Sequence, residues 1–217
     1  LTPPMSRELE TMYLPGPVPY DLGVTLQSER RDAVRRGDEP NALFLLEHAP
    51  VVTLGRRYHE RNLRIPREDF EARGITVRET DRGGDVTYHG PGQVVAYPVI
   101  NLKEWRPSIR WYLRSLEQVV IEQLAEYGLE GERAEGMTGV WVGGAKVAAI
   151  GVGLKNWVTY HGVAINVAPD MEHFGLIVPC GIADHPVACL SQFPGAPAEP
   201  VQVMRDFDRC FRRVFLG

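Results

Sequence analysis

The sequence is poor in cysteine, with three thiols, Cys180, Cys189 and Cys210, among 217 residues. Their number is odd and no two of them form a C-x-x-C pair, so we expect neither a disulfide framework nor a zinc site, and no bound metal. Cys189 lies in an apolar run and Cys210 on an apolar helical stripe, which predicts that both are small core residues. Few, unpaired thiols fit a reducing cytoplasm.

Long apolar runs and a secretion signal are also missing. No stretch approaches the roughly 18 apolar residues that span a bilayer. The first ten residues, LTPPMSRELE, lack the charged start and apolar run of a signal peptide. We therefore expect a cytoplasmic protein that does not associate with membranes.

An excess of positive charge is absent too. Lys and Arg number 24 against 28 Asp and Glu, for a net charge of −4, which argues against a nucleic-acid-binding protein. Arginines nevertheless gather in two places, where they form either a solvated face or a landing surface for an acidic protein partner. The two groups are Arg56, Arg57, Arg61, Arg64 and Arg67, and Arg106, Arg110 and Arg114.

Hydrophobic residues make up 44% of the chain, which suffices for one core. No linker divides the chain, so we predict a single domain over residues 1–217. Apolar periodicity predicts helices over about 22–36, after Ser108 as far as Gly128, and from about 201 onward. The second helix should bury one stripe of side chains. That stripe comprises Ile109, Tyr112, Leu113, Leu116, Val120 and Leu124.

Strand-like segments lie between these helices, and in the middle third of the chain they follow one another through short glycine links. They cover 42–47, 51–55, 75–79, 93–100, 139–142, 146–154 and 159–167. This order favours an α/β (α+β) fold with a mixed, largely antiparallel sheet flanked by helices over a doubly wound parallel fold.

Residues 82–93, RGGDVTYHGPGQ, form an unusual glycine-rich segment beside an Arg and a His. Glycine allows close approach of a ligand to the backbone, and such a loop can present N–H groups to a carbonyl or phosphate oxygen. The segment lacks the ending of a P-loop and the spacing of a dinucleotide fingerprint. From the residues alone, a ligand loop and a tight hairpin with a packed His are equally open.

Two further features carry possible chemistry. Lys146 interrupts an apolar run, where burial would disfavour its charged form and make it a usable base, although a strand-edge lysine that reaches water is the simpler interpretation. Cys180 stands between Pro179 and Gly181, on a predicted turn that would expose its sulfur. A turn cysteine, a desolvated lysine and a glycine-rich loop together make a plausible acyl-transfer site.

The order of these motifs resembles the lipoyl(octanoyl) transferase family over about residues 43–190. The segments that carry the resemblance are Glu47-His48-Ala49-Pro50, Thr53-Leu54-Gly55-Arg56, Arg82-Gly83-Gly84, Thr87-Tyr88-His89, Pro91-Gly92-Gln93, Tyr97-Pro98, Gly144 to Gly151, His161-Gly162 with Asn166, and Pro179-Cys180-Gly181-Ile182. The resemblance implies a fold shared with biotin and lipoate protein ligases.

It also implies an octanoyltransferase activity, the first step of protein lipoylation, with Cys180 carrying the acyl thioester and Lys146 as acid/base. The remaining implied site residues bind substrate. They are Arg82, Gly83, Gly84, Tyr88, His89, Gly90, Ala149, Ile150, Gly151, His161, Gly162 and Asn166.

The implied donor is acyl carrier protein, which brings the acyl group on its phosphopantetheine arm, so no separate cofactor is expected. The implied acceptors are lipoyl domains of 2-oxoacid dehydrogenase complexes and the glycine cleavage H protein. Three alternatives stay open: an ATP-dependent lipoate or biotin protein ligase, a non-catalytic module that docks carrier domains, and a thioesterase. The destination of the acyl group, and whether ATP is needed, separates them.

Overall fold

A computed structural model describes residues 7–179 and 186–217. Its α-helices are α1 Tyr20–Arg36, α2 Arg67–Ala72, α3 Ile109–Glu126, α4 Met171–Phe174 and α5 Pro200–Leu216. Its strands are β1 Leu9–Tyr13, β2 Asn41–Leu46, β3 Val51–Leu54, β4 Thr76–Glu79, β5 Val86–His89, β6 Gln93–Val99, β7 Gly139–Val142, β8 Ala145–Lys155 and β9 Val158–Asn166.

The strands form two sheets. The larger has the order β1-β2-β6-β9-β8-β7, in which β1 and β2 are parallel and every other neighbouring pair is antiparallel. The smaller has the order β4-β3-β5, with β3 parallel to β4 and antiparallel to β5. The predicted mixed, largely antiparallel architecture with flanking helices is confirmed, with the strands divided between two sheets instead of one.

Two strands escape the sequence prediction. β1 lies near the N-terminal end of the described residues, and β5 lies inside the segment predicted to be a glycine-rich loop. Val86 and Tyr88 of β5 pack in an apolar cluster with β3 and α2. Thr87 and His89 face the large sheet, where they line a cavity. This alternation is that of a strand buried on both faces, and the neighbouring glycines mask it in the sequence.

Helices α3 and α5 cover one face of the large sheet with a continuous apolar core. The predicted stripe of α3 is confirmed at Tyr112, Leu116, Val120 and Leu124, which are fully buried. The prediction is wrong for Ile109, which is 40% exposed. Ile109, at the very start of α3, lies beside a surface groove instead of the apolar core that Tyr112 enters.

Helix α1 and the small sheet cover the opposite face, where polar residues are buried among apolar ones. On β6, Val94 and Ala96 face α3 and α5, whereas Val95 and Tyr97 face α1. Buried polar side chains on this side include His48, His89 and Arg82. This is therefore the face on which a polar site can form. Of the helices within the described ranges, none has the length and apolar character of a membrane span.

Candidate active site

Lys146 lies near the start of β8 and is buried, with 9% of its surface exposed. Its backbone is fixed by the chain that returns past it: the Lys146 N–H donates to the Pro186 carbonyl at 2.8 Å, and the Ala188 N–H donates to the Lys146 carbonyl at 3.0 Å. The ammonium nitrogen lies 5.2 Å from the ring centre of Trp141 on β7. Lys146 is therefore largely buried, although a surface groove reaches it from the solvent side.

Gly139 on β7 leaves the room that the lysine occupies. A Cβ at this position would lie 2.7 Å from Lys146 Cε and 2.8 Å from the Ala148 carbonyl oxygen, and the backbone φ of +145° disfavours a side chain as well. The path of Lys146 is thus set by bare backbone on one side and by the Trp141 ring on another.

A small cavity brings Lys146 beside the segment that leads to Cys180. Its wall includes Lys146, Asn166, Phe174, Pro179 and Val187. Pro179 is the last described residue before Cys180, and Val187 pairs with Lys146 in a short bridge. Cys180 itself lies outside the described residues. Cys189 and Cys210 are buried, as predicted for small core residues.

A larger, mainly apolar cavity adjoins this one and lies between the two sheets. We call it the acyl cavity, after the acyl-transfer site that the sequence predicts. Thr87 and Ala149 belong to the walls of both. The acyl cavity is lined by Tyr20, Arg82, Gly83, Gly84, Thr87, His89, Val95, Tyr97, Ala149, Ile150, Gly151, His161, Gly162, Val163 and Ala164.

The structure therefore gathers most of the predicted substrate-binding residues at one place. Nine of them line the acyl cavity, and Asn166 lines the small cavity with Lys146. Tyr88 and Gly90 are not brought to either wall. The Tyr88 side chain leaves β5 on the opposite face, where its hydroxyl lies 2.9 Å from His173 Nδ1. A Cβ at Gly90 would collide with the Tyr88 ring, so Gly90 packs there too.

Arg82 holds the glycine loop in place. Its buried guanidinium donates to the Thr53 carbonyl at 2.8 Å, to the Thr53 hydroxyl at 2.9 Å and to the Asp85 carbonyl at 2.7 Å. The Gly83 N–H in turn donates to the Val152 carbonyl of β8 at 2.9 Å. A Cβ on Gly151 would lie 2.8 Å from the Gly83 carbonyl oxygen. The loop is thus pinned between the two sheets.

Burial disfavours the charged form of three histidines around the acyl cavity. Burial lowers the pKa of His89 to about 3 and that of His48 to about 4, and it lowers the pKa of His161 from its usual value as well. His48 donates from Nδ1 to the Val18 carbonyl at 2.9 Å, because a carbonyl only accepts. Its Nε2 then accepts from the Tyr97 hydroxyl at 2.7 Å.

A chain of polar contacts links the acyl cavity to the backbone next to Lys146. His89 Nδ1 lies 2.6 Å from Gln93 Oε1. The Gln93 amide donates to Asn166 Oδ1 at 3.0 Å, and the Asn166 amide donates to the Ala188 carbonyl at 3.2 Å. Gln93 is a site residue that the sequence reasoning did not name, although it closes the motif Pro91-Gly92-Gln93.

His161 is held in a strained conformation at the other end of the cavity. Its φ is +56°, which is uncommon for a residue with a side chain. Its N–H donates to Gln27 Oε1 at 2.6 Å, and its Nε2 donates to Asp81 Oδ1 at 2.8 Å. Asp81 also accepts from the Tyr160 hydroxyl, and the hydrogen bond from His161 lowers the pKa of Asp81.

A surface groove reaches Lys146 from the solvent side. Arg57 and His59 line one side of this groove, and Ile109 and Leu113 of α3 line the other side. Its floor shares Gly83, Gly84, Ile150 and Gly151 with the acyl cavity and also contains Lys146. Lys146 thus stands where a solvent-side entrance meets an apolar chamber. Within 7–179 and 186–217, no three His, Cys, Asp or Glu residues converge in a way that would hold a metal ion.

The geometry agrees with comparisons to known proteins. The chain belongs to the lipoyl protein ligase A/B catalytic domain family, whose model matches residues 19–212. It is 46% identical over 190 residues to an octanoyltransferase of Gloeobacter violaceus, covering 87% of this chain and 83% of the relative. It is 44% identical over 200 residues to an octanoyltransferase of Solibacter usitatus, covering 92% and 90%. The protein is thus an enzyme of the acyltransferase class.

The fold is also that of a solved ligase structure. A bi-partite lipoate protein ligase from Thermoplasma acidophilum superposes with a TM-score of 0.71, covering 97% of this chain and 84% of that one. Sequence identity is 17%, so this likeness shows the fold alone. The fold expected from the motif resemblance is confirmed.

Proposed function

We propose that this enzyme transfers an octanoyl group from acyl carrier protein to a lysine of apo lipoyl domains, through a thioester on Cys180 with Lys146 as acid and base. One observation carries the proposal most directly. Buried Lys146 and Pro179, the chain neighbour of Cys180, line the same small cavity, which adjoins an apolar chamber. Acyl transfer through a thiol needs this combination of nucleophile, base and acyl site.

The acyl cavity suits a medium-length hydrocarbon chain. Its walls are mainly apolar, and burial disfavours the charged form of its histidines by lowering their pKa values. The Arg82 charge is turned toward carbonyl oxygens of the protein. Each methylene that leaves water for such a site contributes about 0.8 kcal/mol to binding. We assign the cavity walls, including the predicted residues that line them, to acyl binding.

In the first half-reaction, Lys146 takes the thiol proton of Cys180, either during the attack or beforehand as a thiolate–ammonium pair. The thiolate adds to the thioester carbonyl of the acylated carrier, and the bond from that carbonyl to the phosphopantetheine sulfur breaks. The departing sulfur takes the proton from Lys146. The acyl group is now on Cys180, and the carrier leaves as a free thiol.

In the second half-reaction, the neutral amine of the acceptor lysine attacks the Cys180 thioester. Lys146 receives the surplus proton of the amine, the carbon–sulfur bond to Cys180 breaks, and the proton returns to the sulfur. The product is an amide, which is more stable than a thioester. The sequence of steps is therefore downhill, and the proposal requires neither a nucleotide nor a metal. The relay requires a reduced thiol, and the proposal therefore places the enzyme in the cytoplasm, where thiols stay reduced.

The groove supports a carrier protein as donor. Arg57 on one side of the groove, Arg61 and Arg64 on the following turn, and Arg110 beside Ile109 are exposed and form no ion pair with any described residue. Available positive charge around an entrance attracts an acidic protein and aligns it. The carrier's flexible arm can then pass along the groove floor to Lys146. The same entrance would admit the lysine of a lipoyl domain from 2-oxoacid dehydrogenase complexes or the glycine cleavage H protein.

The test is intact-mass analysis after incubation with octanoyl-carrier protein and no ATP. Wild type should gain one octanoyl group and lose it when apo lipoyl domain is added. Cys180→Ser should gain no thioester. Cys189→Ser is the matched control, because Cys189 is buried in the core and should leave the acylation intact.

The ligase fold keeps one competing reaction in view, activation of free octanoate by ATP. In that case wild type and Cys180→Ser would acylate the lipoyl domain equally well, and only when ATP and free octanoate are supplied. That outcome would remove Cys180 from the mechanism. Octanoate released as free acid, with no acylated acceptor, would instead indicate a thioesterase. Binding of carrier or lipoyl domain with no acyl transfer at all would indicate a docking module.

A further inference from the structure

The acyl cavity ends at a wall that is one side chain thick. On the far side of that wall lies a second groove, on the protein surface, formed by α1 and the chain after β4. Among the described residues, the cavity and this outer groove share two members, Tyr20 and His161. These two side chains therefore separate the hydrocarbon chamber from solvent. We call them the distal wall.

The distal wall is closed by one hydrogen bond and one polar contact between three separate parts of the chain. The Tyr20 hydroxyl, at the start of α1, donates to the Thr80 hydroxyl at 3.0 Å. The Thr80 oxygen lies 3.4 Å from His161 Nε2 on β9. Thr80 follows β4 directly and belongs to neither of the two elements that it joins. The closure is thus made by side chains, with no continuous backbone across it.

The two halves of the wall are held unequally. His161 is fixed by Gln27 on its N–H and by Asp81 on its ring. The Tyr20 hydroxyl, within the described part of the chain, bonds to Thr80. The ring of Tyr20 otherwise rests against the His48 and His89 rings, at centroid distances of 5.3 and 6.4 Å. Tyr20 is therefore the half that can move outward when the cavity is overfilled.

We propose that Tyr20 and His161, joined through Thr80, set the longest acyl chain that this enzyme accepts, and that Tyr20 is the residue that yields to a longer one. This inference rests on the proposed octanoyl transfer. A chain that fits inside leaves the wall intact. A longer chain has to break the Tyr20–Thr80 hydrogen bond and push its end into the outer groove.

The experiment compares acyl-carrier substrates of 8, 10, 12 and 14 carbons by kcat/KM. Thr80→Val and Tyr20→Phe remove the same hydrogen bond from opposite sides while keeping the shape of each side chain. Each should raise the ratio of the 12-carbon to the 8-carbon substrate by about fivefold, the value of one neutral hydrogen bond. Tyr20→Ala opens the wall and should move the preferred substrate to a longer chain.

Thr25→Val is the matched control. Thr25 lines the same outer groove, and its hydroxyl bonds within α1 to the Asp21 carbonyl, away from the acyl cavity. The ratio of kcat/KM for the 12-carbon substrate to that for the 8-carbon substrate should be the same in Thr25→Val as in wild type. An unchanged ratio in Thr80→Val, whose side chain lies outside the acyl-cavity wall and whose octanoyl transfer should stay intact, would overturn the distal wall and leave the proposed function standing.

A binding measurement separates the two ideas fully. Free octanoate and dodecanoate are titrated calorimetrically against the same purified proteins, without any transfer reaction. Dodecanoate should gain affinity relative to octanoate in the wall variants and not in Thr25→Val. This result supports the wall even if wild type fails to transfer octanoyl groups, which would overturn the proposed function alone. Equal relative affinities in every variant would overturn the wall.

Discussion

The two faces of the six-stranded sheet bury different kinds of residues. Against α3 and α5 the sheet buries aliphatic and aromatic side chains in one continuous cluster. Against α1 and the small sheet it buries His48, His89, Arg82 and Gln27, each held by hydrogen bonds. Hydrogen bonding offsets the cost of burying these groups but adds little net stability, so the second face contributes less to stability per residue. The face covered by α3 and α5, which we call the helical face, stabilises the fold. The face covered by α1 and the small sheet, which we call the polar face, can specialise in chemistry.

The largest expected effect follows from removing Lys146, the proposed base. Lys146→Met keeps the length and apolar stem of the side chain while deleting its amine. We expect kcat to fall by about 10³-fold or more, because general acid–base groups contribute about 10² to 10⁴ and both half-reactions use this one. Thermal unfolding should change little. Lys155→Met, at the exposed far end of β8, is the control. A loss of less than tenfold would exclude Lys146 as the acid and base.

The helical face should respond in the opposite manner. Phe207 on α5 is fully buried and stacks on Phe211 with ring centres 6.0 Å apart. Phe207→Ala should lower the free energy of unfolding by about 3–5 kcal/mol, measured by denaturant titration, through lost burial and the cavity left behind. Its kcat per folded molecule should stay near that of wild type. Val201→Ala, 53% exposed on the same helix, should cost little. If Phe207→Ala kept its stability but lost activity, the assignment of stability to the helical face and of chemistry to the polar face would be contradicted.

The polar face should make stability depend on pH. In the unfolded chain His48 binds a proton near pH 6.5, whereas burial keeps its folded-state pKa at about 4. Acidification between these values therefore stabilises the unfolded state. The free energy of unfolding should fall as pH drops from 6.5 to 4, with His48 responsible for about 3 kcal/mol of the loss. In His48→Gln, the free energy of unfolding obtained from denaturant titrations should fall less steeply over this pH range than in wild type. An equal fall in both proteins would mean that other groups govern the loss of stability in acid.

The smallest expected effect concerns the solvent-side groove. Arg57→Glu places a negative charge where an acidic carrier is expected to dock, so KM for the acylated carrier should rise by about fivefold, with kcat little changed. The rise should shrink at high salt. Arg35→Glu is the control, since α1 carries that position about 22 Å from the end of the helix that contacts the acyl cavity. Equal KM values for Arg57→Glu and Arg35→Glu would argue against the Arg57 side of the groove as the docking surface.

Much of the fold is predictable from the sequence because its periodic signals are local. Helices α3 and α5 each have an apolar stripe on one side, and α1 ends at Arg36, the predicted boundary, where Gly37 adopts a φ of +79°. Ile109 fails because periodicity does not tell where a helix extends past the layer it covers. β5 fails because neighbouring glycines suggest a loop. Identifying β5 as a strand would also have placed Tyr88 on the face away from His89.

The site is predictable where motifs are linear and not where the fold assembles it. Lys146 and the Arg82 loop stand out in the sequence by composition. Gln27 carries no such signal, because its role is a hydrogen bond to a residue 134 positions away. His48 and Tyr97 lie within segments that resemble the family, yet their pairing follows from β2 and β6 being neighbours. Sequence patterns indicate which residues are candidates for the site, whereas the hydrogen-bond partners of those residues depend on which distant segments the fold brings together.

The construction of the two ends of the acyl cavity bears on how such enzymes diverge. Near Lys146 the shape is imposed by bare backbone at Gly139 and Gly151, where almost any substitution collides. At the other end it is imposed by the tips of Tyr20, Thr80 and His161, contributed by three unrelated stretches of chain. Under the proposed function, substrate preference can therefore change by single exchanges at the distal wall, whereas the bare backbone near Lys146 leaves little room for exchange. Such an arrangement separates the part of the cavity that can vary from the part that cannot.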